Sequence, residues 1–182
     1  MIADSKDYVE SFLVPVAKRL NVNPNIITLL AIIFMFLCGY EIFLSNIVLG
    51  ALFLFISGFL DLLDGTVAKF HKTTSKFGMF FDRVGDRISD FVLIFSTFLG
   101  GYVSAVIAFT TIFFVYMASY ESSVIESGTK SKVGEKLSMR AVRLSVMFFG
   151  LLFSQVYYAV LIVLLIGIYS FFERFYHAWR YL

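Results

Sequence analysis

Four aspartates carry the most chemical information in this sequence. Asp61 and Asp64 are three residues apart, and Asp82 and Asp86 are four apart. On helices each pair shares one face. Two antiparallel helices with those faces opposed would bring four carboxylates together. Four anions repel one another and lose hydration at a membrane boundary, so such a cluster requires cations. Hard divalent ions take oxygen ligands, and Mg²⁺ typically uses a few carboxylates plus substrate phosphate. Zinc is a poor fit: His71 and His177 are far apart, and the lone Cys38 lies in a different apolar run. Two Mg²⁺ or Mn²⁺ ions match the number of acids. A metal pair about 3.5–4 Å apart stabilises both the attacking and the leaving oxygen of a phosphoryl displacement. The competing reading pairs these aspartates with Lys69, Arg83 and Arg87 as structural ion pairs. Gly65, Ala68 and Gly78 lie among the acids, and small residues let a bulky ligand approach the backbone.

The stretch resembles the signature of the CDP-alcohol phosphotransferase family, D-x2-D-G-x2-A-R-x8-G-x3-D-x3-D. Asp61, Asp64, Gly65, Ala68, Gly78, Asp82 and Asp86 all match with spacing unchanged. Lys69 stands where the family usually has Arg; it keeps the charge and loses the planar fork. The resemblance implies that Asp61, Asp64 and Asp82 ligate one metal, and Asp61, Asp82 and Asp86 the second. Asp86 would also be the general base for the acceptor hydroxyl. Gly65, Lys69 and Ser75 match positions that contact the CDP moiety, as does the turn Pro24-Asn25-Ile26-Ile27, with Thr28 a further candidate; Ala68 and Gly78 complete the CDP-lipid set. The implied reaction transfers the phospho-lipid group of a CDP-lipid, CDP-diacylglycerol or CDP-archaeol, to a polar alcohol and releases CMP.

These residues must be held by membrane helices. Of 182 residues, 59% are hydrophobic and 19% aromatic, against about 45–50% apolar in soluble domains. The apolar runs predict an all-α membrane protein with six transmembrane helices, at 26–44, 47–60 (long enough to span if the helix continues to Lys69), 81–99, 103–120 and two within 141–176 that meet at Ser154-Gln155. Asn23 and Pro24 suit a helix cap and first position. Residues 4–20 read as an amphipathic interfacial helix kinked at Pro15, which divides the chain into 1–22 and a six-helix domain, 23–182. No cleavable signal peptide is expected. All 15 Lys and Arg residues fall before the first span, around the second and fourth connections, or at the end of the last span. Six spans place all of them on one side, so both termini and the active site are expected to be cytoplasmic.

The acceptor is read from the remaining cations. Lys130, Arg140, Arg143 and Arg174 would cluster at the same boundary, and guanidinium groups bind phosphate oxygens in pairs. The Arg140-x-x-Arg143-Leu144 stretch resembles the branch that makes phosphatidylinositol phosphate or its archaeal ether-lipid counterpart, with inositol phosphate as acceptor. Glycerol 3-phosphate is the alternative acceptor, and an intramembrane cation transporter the alternative class. A net charge of +2 gives no argument for nucleic acid. The family resemblance implies a homodimer. Asp90, one turn beyond Asp86, is expected to pair with Arg87 or Arg83, and His71 to be solvated.

Overall fold

A computed structural model describes residues 13–128 and 139–181. Within them the chain is helical, with no strand among the described residues. Helix α1 covers residues 13–19. It is followed by α2 (Pro24–Phe43), α3 (Ile47–Phe70), α4 (Lys76–Leu99), α5 (Ala105–Gly128), α6 (Met139–Leu152) and α7 (Val156–Tyr181). Residues 1–12 of the expected interfacial segment, and Lys130, lie outside the described residues.

The helix ends follow from local chemistry. The Asn23 side chain accepts a hydrogen bond from the Asn25 N–H at 3.0 Å, with Pro24 at the first helical position. Ser75 caps α4 by accepting from the Gly78 N–H at 2.9 Å. Four helices stop in the same way. After α2, α3, α4 and α6, one residue turns to positive φ: Ser45, Lys72, Gly101 and Ser154. The next N–H reaches back to the last turn, as Thr73 N does to the Ala68 carbonyl at 3.0 Å and Gln155 N to the Gly150 carbonyl at 2.7 Å. This satisfies carbonyls that a helix end would leave orphaned. Of the four, only Gly101 adopts the conformation with no Cβ penalty.

Each helix packs against two neighbours. Around the bundle the order is α2, α3, α6, α7, α5, α4 and back to α2. The acid-bearing helices α3 and α4, which the sequence suggests as directly opposed, therefore each pack along α2. Gly39 and Gly85 make the α2–α4 approach close: an added Cβ would lie 2.8 Å from a Val92 methyl and 3.0 Å from an Ile32 methyl, respectively. Small residues at such contacts are the usual basis of helix packing in membranes. The apolar core includes Met35, Cys38, Leu54, Leu93, Val115, Met147 and Val160. Cys38 is thus the buried small hydrophobe that a lone cysteine in an apolar run suggests. A second apolar cluster joins Ala17 to Ile27, Leu63 and Val67. His71 fastens α1 further, its Nε2 lying 3.1 Å from the Ala17 carbonyl. It is a structural tie and not the solvated side chain expected.

Four helices are long and apolar enough to cross a bilayer: Pro24–Phe43, Ile47–Phe70, Ala105–Glu126 and Val156–Arg180. Two of the six expected spans miss that standard for identifiable reasons. The first 15 residues of α4 carry Lys76, Asp82, Arg83, Asp86, Arg87 and Asp90. Helix α6 has 14 described residues, about 21 Å at the α-helical rise.

The tightest helix contact yields a prediction. A Cβ on Gly150 would sit 2.2 Å from the Ala159 Cβ, whereas one on Gly58 would meet nothing within 4 Å. Gly150→Ala must therefore push α6 from α7, with an expected loss of about 1–3 kcal/mol. Gly58→Ala should gain a few tenths to about 1 kcal/mol from helix propensity alone. Thermal unfolding of the two variants in detergent measures both.

Candidate active site

The polar end of the bundle gathers the C-terminal half of α3, the N-terminal half of α4 and the start of α6. Carboxylate oxygens of Asp61, Asp82 and Asp86 all lie within 4.8 Å of one another. Their donors are exclusively oxygen, the preference of a hard divalent cation. Asp86 Oδ1 is buried, with the Arg140 guanidinium 2.9 Å away. Gly65 faces open space on the same helix as Asp61 and Asp64. On these observations the residues fit a divalent cation.

Asp64 stands slightly apart. Its Oδ2 accepts a 2.5 Å hydrogen bond from the Thr28 hydroxyl, and the residue is buried. The bond joins the first turn of α2 to α3. The same turn reaches α4, where the Asn25 Oδ1 lies 3.2 Å from the point a Gly78 Cβ would occupy. The side chains expected to meet the nucleotide thus converge from three helices. Gly65 and Lys69 on α3 are exposed, as is Ser75 at the α4 cap. Ala68 and Gly78 are half-buried. Pro24 and Asn25 are half-buried and Ile26 is exposed, but Ile27 turns inward to pack with Leu63 and Val67.

Residues 21–172 match the CDP-alcohol phosphatidyltransferase family. The chain belongs to this family. Among similar proteins is the archaetidylinositol phosphate synthase of Pyrococcus horikoshii, 32% identical over 159 residues, covering 87% of this chain and 85% of that one. The enzyme of the same name from Methanothermobacter thermautotrophicus is 27% identical over 191 residues, covering 99% and 95%. In fold, the chain resembles the Mycobacterium tuberculosis phosphatidylinositol phosphate synthase crystallised with CDP-DAG. The TM-score is 0.79 at 17% identity, over 92% of this chain and 93% of that one. The same enzyme crystallised with manganese and citrate gives 0.77 at 16% identity, over 92% and 88%. The transferase reading of the aspartate signature is borne out, and a cation transporter is set aside.

Three arginines of this transferase, Arg140, Arg143 and Arg174, have partners within the protein. Arg140 Nη1 donates to Asp61 Oδ2 at 2.6 Å and lies 2.9 Å from Asp86 Oδ1. Its Nε is 3.9 Å from Asp90 Oδ1. Arg143 is buried and donates to Asp90 Oδ2 at 3.1 Å. Arg174 donates to the Ala118 carbonyl. Asp90 therefore has the structural pairing expected of it, but with Arg143 in place of Arg87 or Arg83. Those two have other contacts: Arg87 lies 3.5 Å from Asp86, and Arg83 pairs with Glu126 at 2.6 Å. The acids and arginines form a two-rung ladder between α4 and α6, Asp86 with Arg140 and Asp90 with Arg143.

Several site residues escape a sequence reading. Thr28 is visible there as a nucleotide candidate, not as the partner of Asp64. Tyr116, which donates to the Arg87 carbonyl at 2.7 Å, has no local signal at all. The Asp90–Arg143 pair did leave one. An acid one turn deeper than Asp86 needs a cation at equal depth, and Arg143 lies about one turn beyond Arg140.

Proposed function

We propose that this enzyme transfers the phospho-lipid group of a CDP-lipid to inositol phosphate, with release of CMP. The observation that carries this is the juxtaposition of the Asp61, Asp82 and Asp86 carboxylates with Arg140 and, one turn deeper, Arg143. A metal-binding anionic group and guanidinium donors for a phosphorylated acceptor lie within one cluster. The names of the two archaeal relatives support the same acceptor.

In this reading Asp61, Asp64, Asp82 and Asp86 hold two Mg²⁺ ions, with Mn²⁺ an able substitute. Bound there, the cations would neutralise the diphosphate and lower the pKa of the acceptor hydroxyl. Asp86 accepts that hydroxyl's proton. The freed oxygen forms a new bond to the lipid-linked phosphorus as the bond to CMP breaks. Pro24, Asn25 and Ile26 of α2, Gly65, Ala68 and Lys69 of α3, and Ser75 and Gly78 at the start of α4 bind the CDP-lipid, while Ile27 packs inward and Thr28 holds Asp64 behind them. Lys130, Arg140, Arg143 and Arg174 bind the acceptor phosphate.

The proposal includes the topology. Helices α2 to α7 span the membrane six times, 1–22 is the interfacial segment to which α1 belongs, and 23–182 is the catalytic domain of a homodimer. The links at 44–46, 100–104 and 153–155 carry no Lys or Arg, so the basic, acid-bearing end is cytoplasmic.

A panel of alcohols offered to the purified enzyme with CDP-lipid tests the acceptor. Inositol phosphate should give the product, identified by mass. A product formed only from glycerol 3-phosphate would overturn the choice. Arg140→Ala should raise the KM for inositol phosphate by about tenfold or more, as expected for a lost charge-assisted contact. The KM for CDP-lipid should change far less, because the side chains proposed to bind it lie on α2, α3 and the start of α4.

A further inference from the structure

We propose that Arg140 and a divalent cation hold Asp61 and Asp86 by turns, with Asp90 receiving the guanidinium when the cation is bound. The inference rests on the metal-binding reading of the aspartate cluster and extends it to an exchange between two kinds of cation.

One nitrogen of Arg140 stands between two of the three clustered carboxylates, 2.6 Å from Asp61 and 2.9 Å from Asp86. A divalent ion bridging the same pair needs oxygens at about 2.0–2.1 Å. The guanidinium nitrogen and the ion cannot both occupy that space, and their charges repel. The second observation concerns the other side of the same group. Arg140 Nε is buried and has no hydrogen-bond partner, while Asp90 Oδ1 is 3.9 Å away. A rotation that closes this gap satisfies the nitrogen and keeps the charge paired, now one turn deeper. Arg143 already anchors the other oxygen of Asp90, so the receiving carboxylate is held in place. Arg140 then lies beside the cations with its remaining donors free for an acceptor phosphate. Metal and phosphorylated acceptor should therefore bind with positive, reciprocal coupling.

Calorimetric titration of Mn²⁺ into the detergent-solubilised full chain tests this without turnover. Arg140→Gln should bind Mn²⁺ about tenfold more tightly than wild type, since a competing charge is gone. Arg140→Lys, a point charge that cannot bridge two carboxylates, should bind about threefold more tightly. Asp90→Asn should bind several-fold more weakly, because Arg140 loses its second partner. Unchanged or weaker binding in both Arg140 variants overturns the exchange while leaving the metal site standing. Should Arg140→Gln fail to fold, the Lys variant decides in the same direction. A wild-type protein that binds no Mn²⁺ would sink the metal reading and the exchange together.

Discussion

Asp86→Asn should reduce CMP release by about 10³-fold or more while leaving the melting temperature close to wild type. Two losses combine in the rate. Asparagine cannot accept the acceptor's proton, and a positioned general base contributes about 10²–10⁴-fold. It also removes one negative charge from the Asp61–Asp82–Asp86 cluster, which weakens cation binding. Stability is spared because the remaining charges stay matched. Arg140 keeps Asp61 at 2.6 Å and has Asp90 at 3.9 Å. The contact weakened is the one between Asp86 Oδ1 and Arg140 Nη1 at 2.9 Å, and an asparagine oxygen can still face that guanidinium. If Asp86 were a structural partner of Arg140 and nothing more, the variant would keep its rate and lose stability. Initial CMP-release rates at saturating substrates, set beside thermal unfolding, separate the two. A variant within tenfold of wild-type kcat would remove Asp86 from the chemistry.

Much of this site was legible in the sequence because it is built from short-range spacing. Three- and four-residue steps put carboxylates on helix faces, and their positions in the chain put those faces at the same end of the bundle. The helix breaks were equally local, at Asn23-Pro24 and at Ser154-Gln155, where the chain does turn. What stayed hidden depends on which helices become neighbours. Nothing in the order of the apolar runs says that α2 packs against both α3 and α4, so the Thr28–Asp64 bond, 36 residues apart, could not be read. The same is true of Arg83 finding Glu126. Helix α4 carries its charges within its first 15 residues, toward the site, so hydropathy alone gives it less weight as a span than α2 or α3.

The buried Asp90–Arg143 pair carries the largest stability prediction. Both side chains are 6% exposed and 3.1 Å apart, so neither can turn to water when the other is removed. Arg143→Ala or Asp90→Ala should each cost about 3–5 kcal/mol, the usual consequence of leaving one buried charge unpaired. Replacing both at once, Asp90→Leu with Arg143→Met, should recover most of that loss, because it removes two desolvation penalties together with one attraction. Leu93, Met147 and Val163 already surround the pair, so the new side chains would meet an apolar lining. The double variant is also the cleanest functional probe. If Arg143 serves only the fold, the repacked enzyme should bind inositol phosphate as wild type does. If it also serves the acceptor, stability returns and the raised KM for inositol phosphate does not. The proposed function requires the second outcome, read from thermal unfolding and acceptor kinetics on the same preparation. A repacked enzyme with wild-type acceptor KM would confine acceptor recognition to Lys130, Arg140 and Arg174.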